Sequence, residues 1–111
     1  MKNKKSIIPL EKALSSKECE AFLKELGPSW TLLKGAQLKK EYLFKNFIEA
    51  LAFVNAAGQE AENCHHHPDL LLSYGKVTAF LSTHSVSGLS KKDFDLAEKL
   101  DALYIAKTLH E

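Results

Sequence analysis

With 111 residues, 45% apolar and 26% charged residues and a formal net charge of +1, the chain predicts one globular domain, residues 1–111, that can bury its own core. The near-neutral charge balance gives no basis for direct binding to nucleic acid or to anionic lipid. Cys19 and Cys64 form neither a disulfide framework nor a CxxC pair, and no apolar run is long enough to span a membrane. We therefore expect a cytoplasmic protein, or an organellar one without its transit segment.

The first part of the chain predicts a tail, one helix and two strands. Residues 1–10 form the expected N-terminal tail, because their basic start is followed by an apolar run that stops at Pro9. Ser15 or Ser16 caps the first helix, and Gly27-Pro28 ends it. The two predicted strands are residues 30–33 and 38–44.

A long second helix is predicted after Asn46, which is a good N-cap residue. Pro68 disfavours helical geometry at the residue before it, so this helix should end at or before His66. Its core-facing stripe is expected at Phe47, Leu51, Val54 and Ala61, widened by Ala50, Phe53 and Ala57.

The last part of the chain predicts two more strands and a third helix. The strands are residues 70–74 and 77–84, and Gly75-Lys76 makes the tight turn between them. Ser90 caps the third helix. Because short turns join the strands, each pair should be an antiparallel hairpin. The predicted fold class is α+β: a four-stranded antiparallel sheet with three helices on one face, in the order α-β-β-α-β-β-α.

Three consecutive histidines, His65-His66-His67, follow the second helix, and His84 ends the fourth predicted strand. Glu62 lies four residues before His66, so the two side chains share a helix face if the helix extends that far. Histidine has the unperturbed side-chain pKa closest to neutrality. A cluster of imidazoles therefore suits a reaction that needs one acid and one base.

Less specific interpretations stay open from these residues alone. The histidine run fits a solvated loop, or a metal site with Cys64, although no CxxC or HExxH spacing supports zinc. His84 fits a structural or surface histidine. Asp93, in the first turn of the third helix, fits a residue that complements the helix dipole.

The spacing of the polar residues gives a more specific indication. Glu62, His66-His67-Pro68, Tyr74, His84 and Asp93 are separated by three, five, nine and eight residues. This pattern resembles the signature of the pterin-4a-carbinolamine dehydratase family. The resemblance covers the chain from Trp30 to the C-terminus, and it is supported by neighbouring words of sequence: Ala61-Glu62, Tyr74-Gly75-Lys76-Val77, Leu81-Ser82-Thr83-His84 and Gly88-Leu89-Ser90.

The resemblance implies a reaction and a substrate. Aromatic amino acid hydroxylases leave their tetrahydropterin as a 4a-hydroxy adduct, and the family removes water from it to give quinonoid dihydropterin. The departing hydroxide must be protonated, and N5 must lose a proton. An acid and a base suffice for this, so no metal, nucleotide or other cofactor is implied.

The resemblance also implies roles for individual residues. The implied catalytic residues are His66, His67 and His84: His66 and His84 match the acid/base pair, whereas His67 mainly holds and polarises the pterin. Glu62 orients His66 or binds the ring. Asp93 supports the site, for example through a hydrogen bond to a histidine. The other residues that line the implied pocket are His65, Ser82, Thr83 and Ser85.

The implied partners are the pterin substrate, a second or further copies of the chain in a homodimer or homotetramer, and functional coupling to an aromatic amino acid hydroxylase. Neither nucleic acid nor a membrane is an expected partner. The alternative function is a pterin-binding accessory factor without catalysis, or a dimerisation cofactor for a transcription factor.

Overall fold

The computed structural model describes residues 12–34 and 36–108; the predicted tail, residues 1–10, lies outside them. The helices and strands follow the predicted order α-β-β-α-β-β-α, which is confirmed. They are α1 (Ser16–Leu26), β1 (Thr31–Leu33), β2 (Gln37–Leu43), α2 (Phe47–Cys64), β3 (Asp69–Ser73), β4 (Lys76–Leu81) and α3 (Lys91–Thr108). None of the helices in the described ranges is long and apolar enough to cross a membrane.

Side chains fix where the first two helices begin. Ser15 accepts a hydrogen bond from the Glu18 backbone N–H at 3.1 Å, and the Glu18 carboxylate accepts one from the Ser15 N–H at 2.8 Å. This reciprocal pair is a capping box, which satisfies two backbone donors that the helix itself leaves unpaired. Asn46 caps α2 by accepting from the Glu49 N–H at 2.9 Å. The predicted caps at Ser15 and Asn46 are therefore confirmed.

The sheet has the strand order β1-β2-β4-β3, and all neighbouring strands are antiparallel. The two predicted hairpins meet along β2 and β4, which pair from Leu38 opposite Leu81 to Leu43 opposite Lys76. The end of β4 therefore lies at the centre of the sheet, beside the start of β2. The chain that leaves β4 leads directly into the segment that carries Thr83 and His84.

The prediction that β4 extends to His84 is wrong, because the strand ends at Leu81. After Ser82, Thr83 turns to pair with Gly88, with its N–H donating to the Gly88 carbonyl at 2.7 Å. This bridge closes a short loop, and His84 begins a 3₁₀ turn inside it. Because the loop leaves the sheet, strand alternation no longer decides where the His84 side chain lies.

The core lies between one face of the sheet and the helices. From the sheet it takes Leu38, Tyr42, Val77, Ala79 and Leu81, all at most 1% exposed. From α3 it takes Phe94, Leu96, Ala97 and Leu100. The opposite face of the sheet carries exposed apolar side chains such as Leu43 and Leu71. The prediction of helices on one face of an antiparallel sheet is confirmed.

The buried stripe of α2 differs from the prediction. Its fully buried residues are Ala50, Phe53, Ala57 and Ala61, which recur at helical spacing on one face. Phe47 and Leu51 are 41% and 37% exposed, so assigning them to the core was wrong. Three alanines on the inner face allow a close approach to the sheet, because their side chains occupy little space. The larger apolar residues are then left at the edges of the helix.

Candidate active site

The end of α2 determines where the histidines lie. His65 adopts a left-handed conformation with φ of 54°, and its N–H bonds back to the carbonyls of Ala61 and Glu62. The His66 N–H donates to the Ala61 carbonyl at 3.1 Å. These bonds satisfy carbonyls that the last helical turn leaves free. They also remove His66 from the helix, so the helix ends before His66, as the position of Pro68 predicted.

His66 contacts the first turn of α3. Its Nε2 atom lies 2.6 Å from Asp93 Oδ1, which is the short distance expected when a hydrogen bond carries charge. Only 11% of the His66 side chain is exposed, and Asp93 has no exposed surface. A buried carboxylate thus holds an imidazole at the protein surface, in contact with one of its two nitrogens.

The Thr83 hydroxyl contacts the other oxygen of Asp93, Oδ2, and the Ser90 hydroxyl contacts Thr83 in turn. Thr83 Oγ1 lies 2.7 Å from Asp93 Oδ2 and 2.7 Å from Ser90 Oγ. The Ser90 backbone N–H also donates to Asp93 Oδ2, at 3.0 Å. Ser90 had been predicted only as a helix cap; its position three residues before Asp93 was the available signal for this second contact. The cluster of His66, Asp93, Thr83 and Ser90 joins three separate segments of the chain.

Glu62 pairs with His67 and not with His66. Glu62 Oε1 lies 2.9 Å from His67 Nε2, and both side chains are largely exposed. The hydrogen bond from His67 lowers the pKa of Glu62 most, followed by the positive charge of His67. The implied orientation of His66 by Glu62 is therefore wrong, because α2 ends at Cys64 and the helical i,i+4 relationship is not formed.

The remaining predicted site residues are less buried than this cluster. His84 and Ser85 lie in the exposed turn that follows Thr83, and His65 is exposed at the end of α2. Ser82 lines an open pocket of about 440 Å³ together with Leu33, Lys34, Ala36 and Gln37. A smaller cavity of about 160 Å³ is lined on one side by His66 and Cys64 and on the other by residues of α3: Lys92, Asp95, Leu96 and Lys99.

The residues described do not contain a metal site of the usual kind. Between residues 12 and 108, leaving out residue 35, no three His, Cys, Asp or Glu side chains converge in a way that could hold an ion. Cys64 Sγ lies 3.2 Å from the Glu60 carbonyl, to which it donates. His66 and His67 instead each pair with a carboxylate, Asp93 and Glu62, an arrangement compatible with proton transfer.

Comparison with known proteins identifies the family. The model of the family described as pterin 4 alpha carbinolamine dehydratase matches residues 12–103. The chain belongs to this family. A relative from Alkaliphilus metalliredigens, named as a pterin-4-alpha-carbinolamine dehydratase, is 47% identical over 79% of each chain. A relative of the same name from Picosynechococcus is 44% identical over 81% of this chain and 96% of its own. By family membership the protein is a hydro-lyase, an enzyme that removes water.

Solved structures share the architecture. A protein from Brucella melitensis, titled as a transcriptional coactivator/pterin dehydratase, superposes with a TM-score of 0.79 and 30% identity, over 84% of this chain and 99% of that one. A pterin dehydratase-like protein titled as a RuBisCO assembly factor in the alpha-carboxysome has a TM-score of 0.60, with 22% identity over 71% of this chain and 93% of its own. The second likeness concerns the fold alone.

Proposed function

We propose that the protein dehydrates 4a-hydroxytetrahydropterin to quinonoid dihydropterin and water by histidine acid/base catalysis. The contact that carries this proposal is the 2.6 Å hydrogen bond between His66 and the buried Asp93. An imidazole held in this way keeps one ring nitrogen for its partner and one for a substrate proton. Family membership supports the substrate class, and the His66–Asp93 pair supports one of the two proton-transfer groups that the reaction needs.

The proposed reaction requires only two proton transfers. One group protonates the hydroxyl on C4a as the C4a–O bond breaks, so that water leaves. Another group takes the proton from N5, and the electron pair of the N5–H bond completes the double bond between N5 and C4a. His66 and His84 divide these two transfers, starting in opposite protonation states. Exchange of one proton with solvent restores both histidines, so no oxidant or cofactor is consumed.

His66 and His84 are held differently, and the difference suits their proposed roles. Asp93 compensates the positive charge of His66 when that ring is protonated. His84 lies in an exposed turn, where its proton can be renewed from water. His67 and Glu62 form an exposed pair at 2.9 Å and would hold the polar edge of the pterin. His65, Ser82 and Ser85 would line the remaining pocket.

The direct test is a coupled assay in which an aromatic amino acid hydroxylase generates the 4a-carbinolamine and its decay is followed by absorbance. Wild-type protein should accelerate the decay. His66→Ala and His84→Ala should each lower kcat by about 10²- to 10⁴-fold, the usual contribution of a general acid or base. Asn55→Ala, an exposed change on the same helix α2, serves as the control and should leave the rate unchanged.

Two outcomes would count against the proposal. Wild-type-like turnover by His66→Ala, with Asn55→Ala also normal, would remove His66 from the mechanism. No acceleration by the wild-type protein, with pterin still bound in an equilibrium titration, would indicate a non-catalytic pterin-binding factor. In that case the proposed role in recycling the pterin cofactor of an aromatic amino acid hydroxylase would also be lost.

A second candidate function is binding to another protein through the outer face of α2. Phe47, Ile48 and Leu51 are exposed on this face, and clustered apolar surface of this kind is typical of interaction sites. The Brucella structure is titled in part as a transcriptional coactivator. The same face suits a homodimer or homotetramer of this chain, which light scattering of wild type and Ile48→Glu would detect as a change of mass.

A further inference from the structure

We infer that Thr83 and Ser90 are positioning residues, which act on His66 mainly through Asp93 and do not contact the pterin; Thr83 Oγ1 also lies 3.5 Å from His66 Nε2. This inference rests on the proposed function, because it assigns how that site is held in its working geometry. It replaces the pocket-lining role that the family resemblance implied for Thr83, and it adds Ser90 to the site.

Burial separates these residues from any substrate. Thr83 is 4% exposed, and neither Ser90 nor Asp93 has exposed surface. Their oxygens are at hydrogen-bond distance from one another. A pterin that occupied the surface beside His66 would have to displace this network to reach the Thr83 hydroxyl. Breaking it would leave buried polar atoms unpaired, which is unfavourable.

The direction of each hydrogen bond follows from the donors available. A carboxylate only accepts, so the Thr83 hydroxyl and the Ser90 N–H both donate to Asp93 Oδ2. The single proton of Thr83 is then committed to Asp93. At the 2.7 Å contact between the two hydroxyls, Ser90 must therefore be the donor. The network runs in one direction, from Ser90 through Thr83 to Asp93.

The same reasoning defines the state of His66. With Oδ2 occupied by two donors, Asp93 presents Oδ1 to the ring, and His66 Nε2 lies 2.6 Å from it. Nε2 must carry the proton in this contact, because Asp93 has none to give. In neutral His66 the free lone pair is consequently on Nδ1. Asp93, oriented by the two hydroxyl residues, thus selects which nitrogen of His66 exchanges a proton with the substrate.

Backbone hydrogen bonds fix the two segments that carry the Thr83 and Ser90 hydroxyls. The Thr83 N–H donates to the Gly88 carbonyl at 2.7 Å, and the Asp93 N–H donates to the Ser90 carbonyl at 3.1 Å. The first bond fixes the loop after β4, and the second fixes the first turn of α3. Supporting groups held in this way keep a reactive side chain within the narrow range of productive geometry.

The test compares Thr83→Val, which removes the hydroxyl at nearly constant shape, with Thr83→Ser, which keeps it. In the dehydratase assay, Thr83→Val should lower kcat by about 10- to 100-fold, the usual consequence of a slightly misplaced reacting group, with KM changed by less than about twofold. Thr83→Ser should restore most of kcat. Ser90→Ala should give an intermediate loss. Urea unfolding of each variant establishes that the protein is folded during the assay.

A second readout does not depend on activity. Nitrogen-15 NMR of wild-type protein, at a pH where the ring is neutral, should show the His66 proton on Nε2, and Thr83→Val should show a mixture of both tautomers. A wild-type ring protonated on Nδ1 would overturn the inference. So would a loss expressed mainly in KM, or equal losses in Thr83→Ser and Thr83→Val. If the NMR result is as expected but wild-type protein shows no dehydratase activity, the proposed function fails and the positioning network stands.

Discussion

The Glu62 carboxylate accepts a hydrogen bond from His67 Nε2 at 2.9 Å, just beyond the end of α2. The bond lowers the pKa of Glu62, and the charge of His67 and, to a smaller extent, that of His65 act in the same direction. Since the folded-state pKa is depressed, the contact is present at neutral pH. The contribution of the ionised Glu62 carboxylate is lost as the pH falls through that lowered value.

We expect His67→Ala to raise the pKa of Glu62 towards its ordinary value, because the variant removes the two largest causes of the shift. Carbon-13 NMR titration of the glutamate carboxyl groups measures this directly. His65→Ala is the matched control, since it removes only the smallest contribution, and it should move the pKa much less. Equal shifts in both variants would mean that general positive charge, and not the His67 hydrogen bond, controls Glu62.

Asp101 joins α3 to the sheet through three donors. Its carboxylate accepts from Trp30 Nε1 at 3.0 Å, from Lys40 Nζ at 2.7 Å and from the Tyr42 hydroxyl at 2.7 Å. The side chains of Lys40 and Asp101 are only 13% and 24% exposed. Removal of one partner from such a cluster leaves the others unpaired in a largely buried position.

Asp101→Ala should therefore lower the free energy of unfolding by roughly 2–4 kcal/mol, slightly below the cost of breaking a fully buried pair. Urea unfolding at neutral pH measures the change. Asp101→Asn should cost less, because the amide keeps one acceptor oxygen. The control is Lys99→Ala on the same helix, whose Nζ lies 3.7 Å from a Glu60 oxygen and whose side chain is half-exposed; its expected cost is below about 1 kcal/mol. Similar costs for Asp101→Ala and Lys99→Ala would contradict the prediction.

Tyr42 should make the free energy of unfolding decrease at alkaline pH. Burial raises its pKa far above the ordinary value, and the hydrogen bond to Asp101 and the charge of Asp101 raise it further. Because the folded-state pKa is raised, the associated stability is complete below the unfolded value of about 10. Above that pH the unfolded chain ionises while the folded protein does not. Each pH unit then reduces stability by about 1.4 kcal/mol.

Urea midpoints measured from pH 8 to about pH 11 should fall steeply above the unfolded tyrosine pKa of about 10. Tyr42→Phe should be less stable at neutral pH, because it loses the bond to Asp101, but its decline at high pH should be shallower. Tyr74→Phe removes a phenol that is 70% exposed and is the control. An unchanged slope in Tyr42→Phe would show that another group is responsible for the alkaline loss.

Local sequence patterns predicted more of the fold than of the candidate site. Helix caps and strand alternation depend on residues that are close in sequence. Ser15 and Asn46 therefore predicted α1 and α2, and the alternation in β4 helped to predict the hairpins. The predicted α2 stripe included the four residues that are buried, but hydrophobicity also placed Phe47 and Leu51 in it, and both are exposed. The sequence defines where the helix lies, and tertiary packing decides which of its residues are buried.

The candidate site depends on contacts between distant parts of the chain. His66 and Asp93 are 27 residues apart, and Trp30 and Asp101 are 71 apart. No periodicity links such positions, so only the family resemblance associated Asp93 with a histidine. The partner of Glu62 was missed for a local reason: Pro68 predicted that the helix would stop near His66, but the left-handed turn at His65 determined which histidine Glu62 meets.

Gly58 and Gly75 differ in what an added methyl group would contact. A Cβ atom at Gly75 would lie 2.9 Å from the Phe44 carbonyl oxygen, a backbone atom that cannot move aside easily. The Gly75 carbonyl also accepts the Phe44 N–H at 2.9 Å. A Cβ atom at Gly58, inside α2, would meet nothing within 4 Å.

Gly75→Ala should destabilise the protein by roughly 1–3 kcal/mol, because the β3–β4 turn must shift away from the end of β2. Gly58→Ala should stabilise it by about 0.5–1 kcal/mol, because alanine loses less conformational freedom in a helix than glycine does. Thermal and urea unfolding of both variants measure the signs. Opposite signs distinguish steric contact from a general effect of added volume, whereas a stabilising Gly75→Ala would show that the turn does not approach Phe44 as closely as the structure indicates.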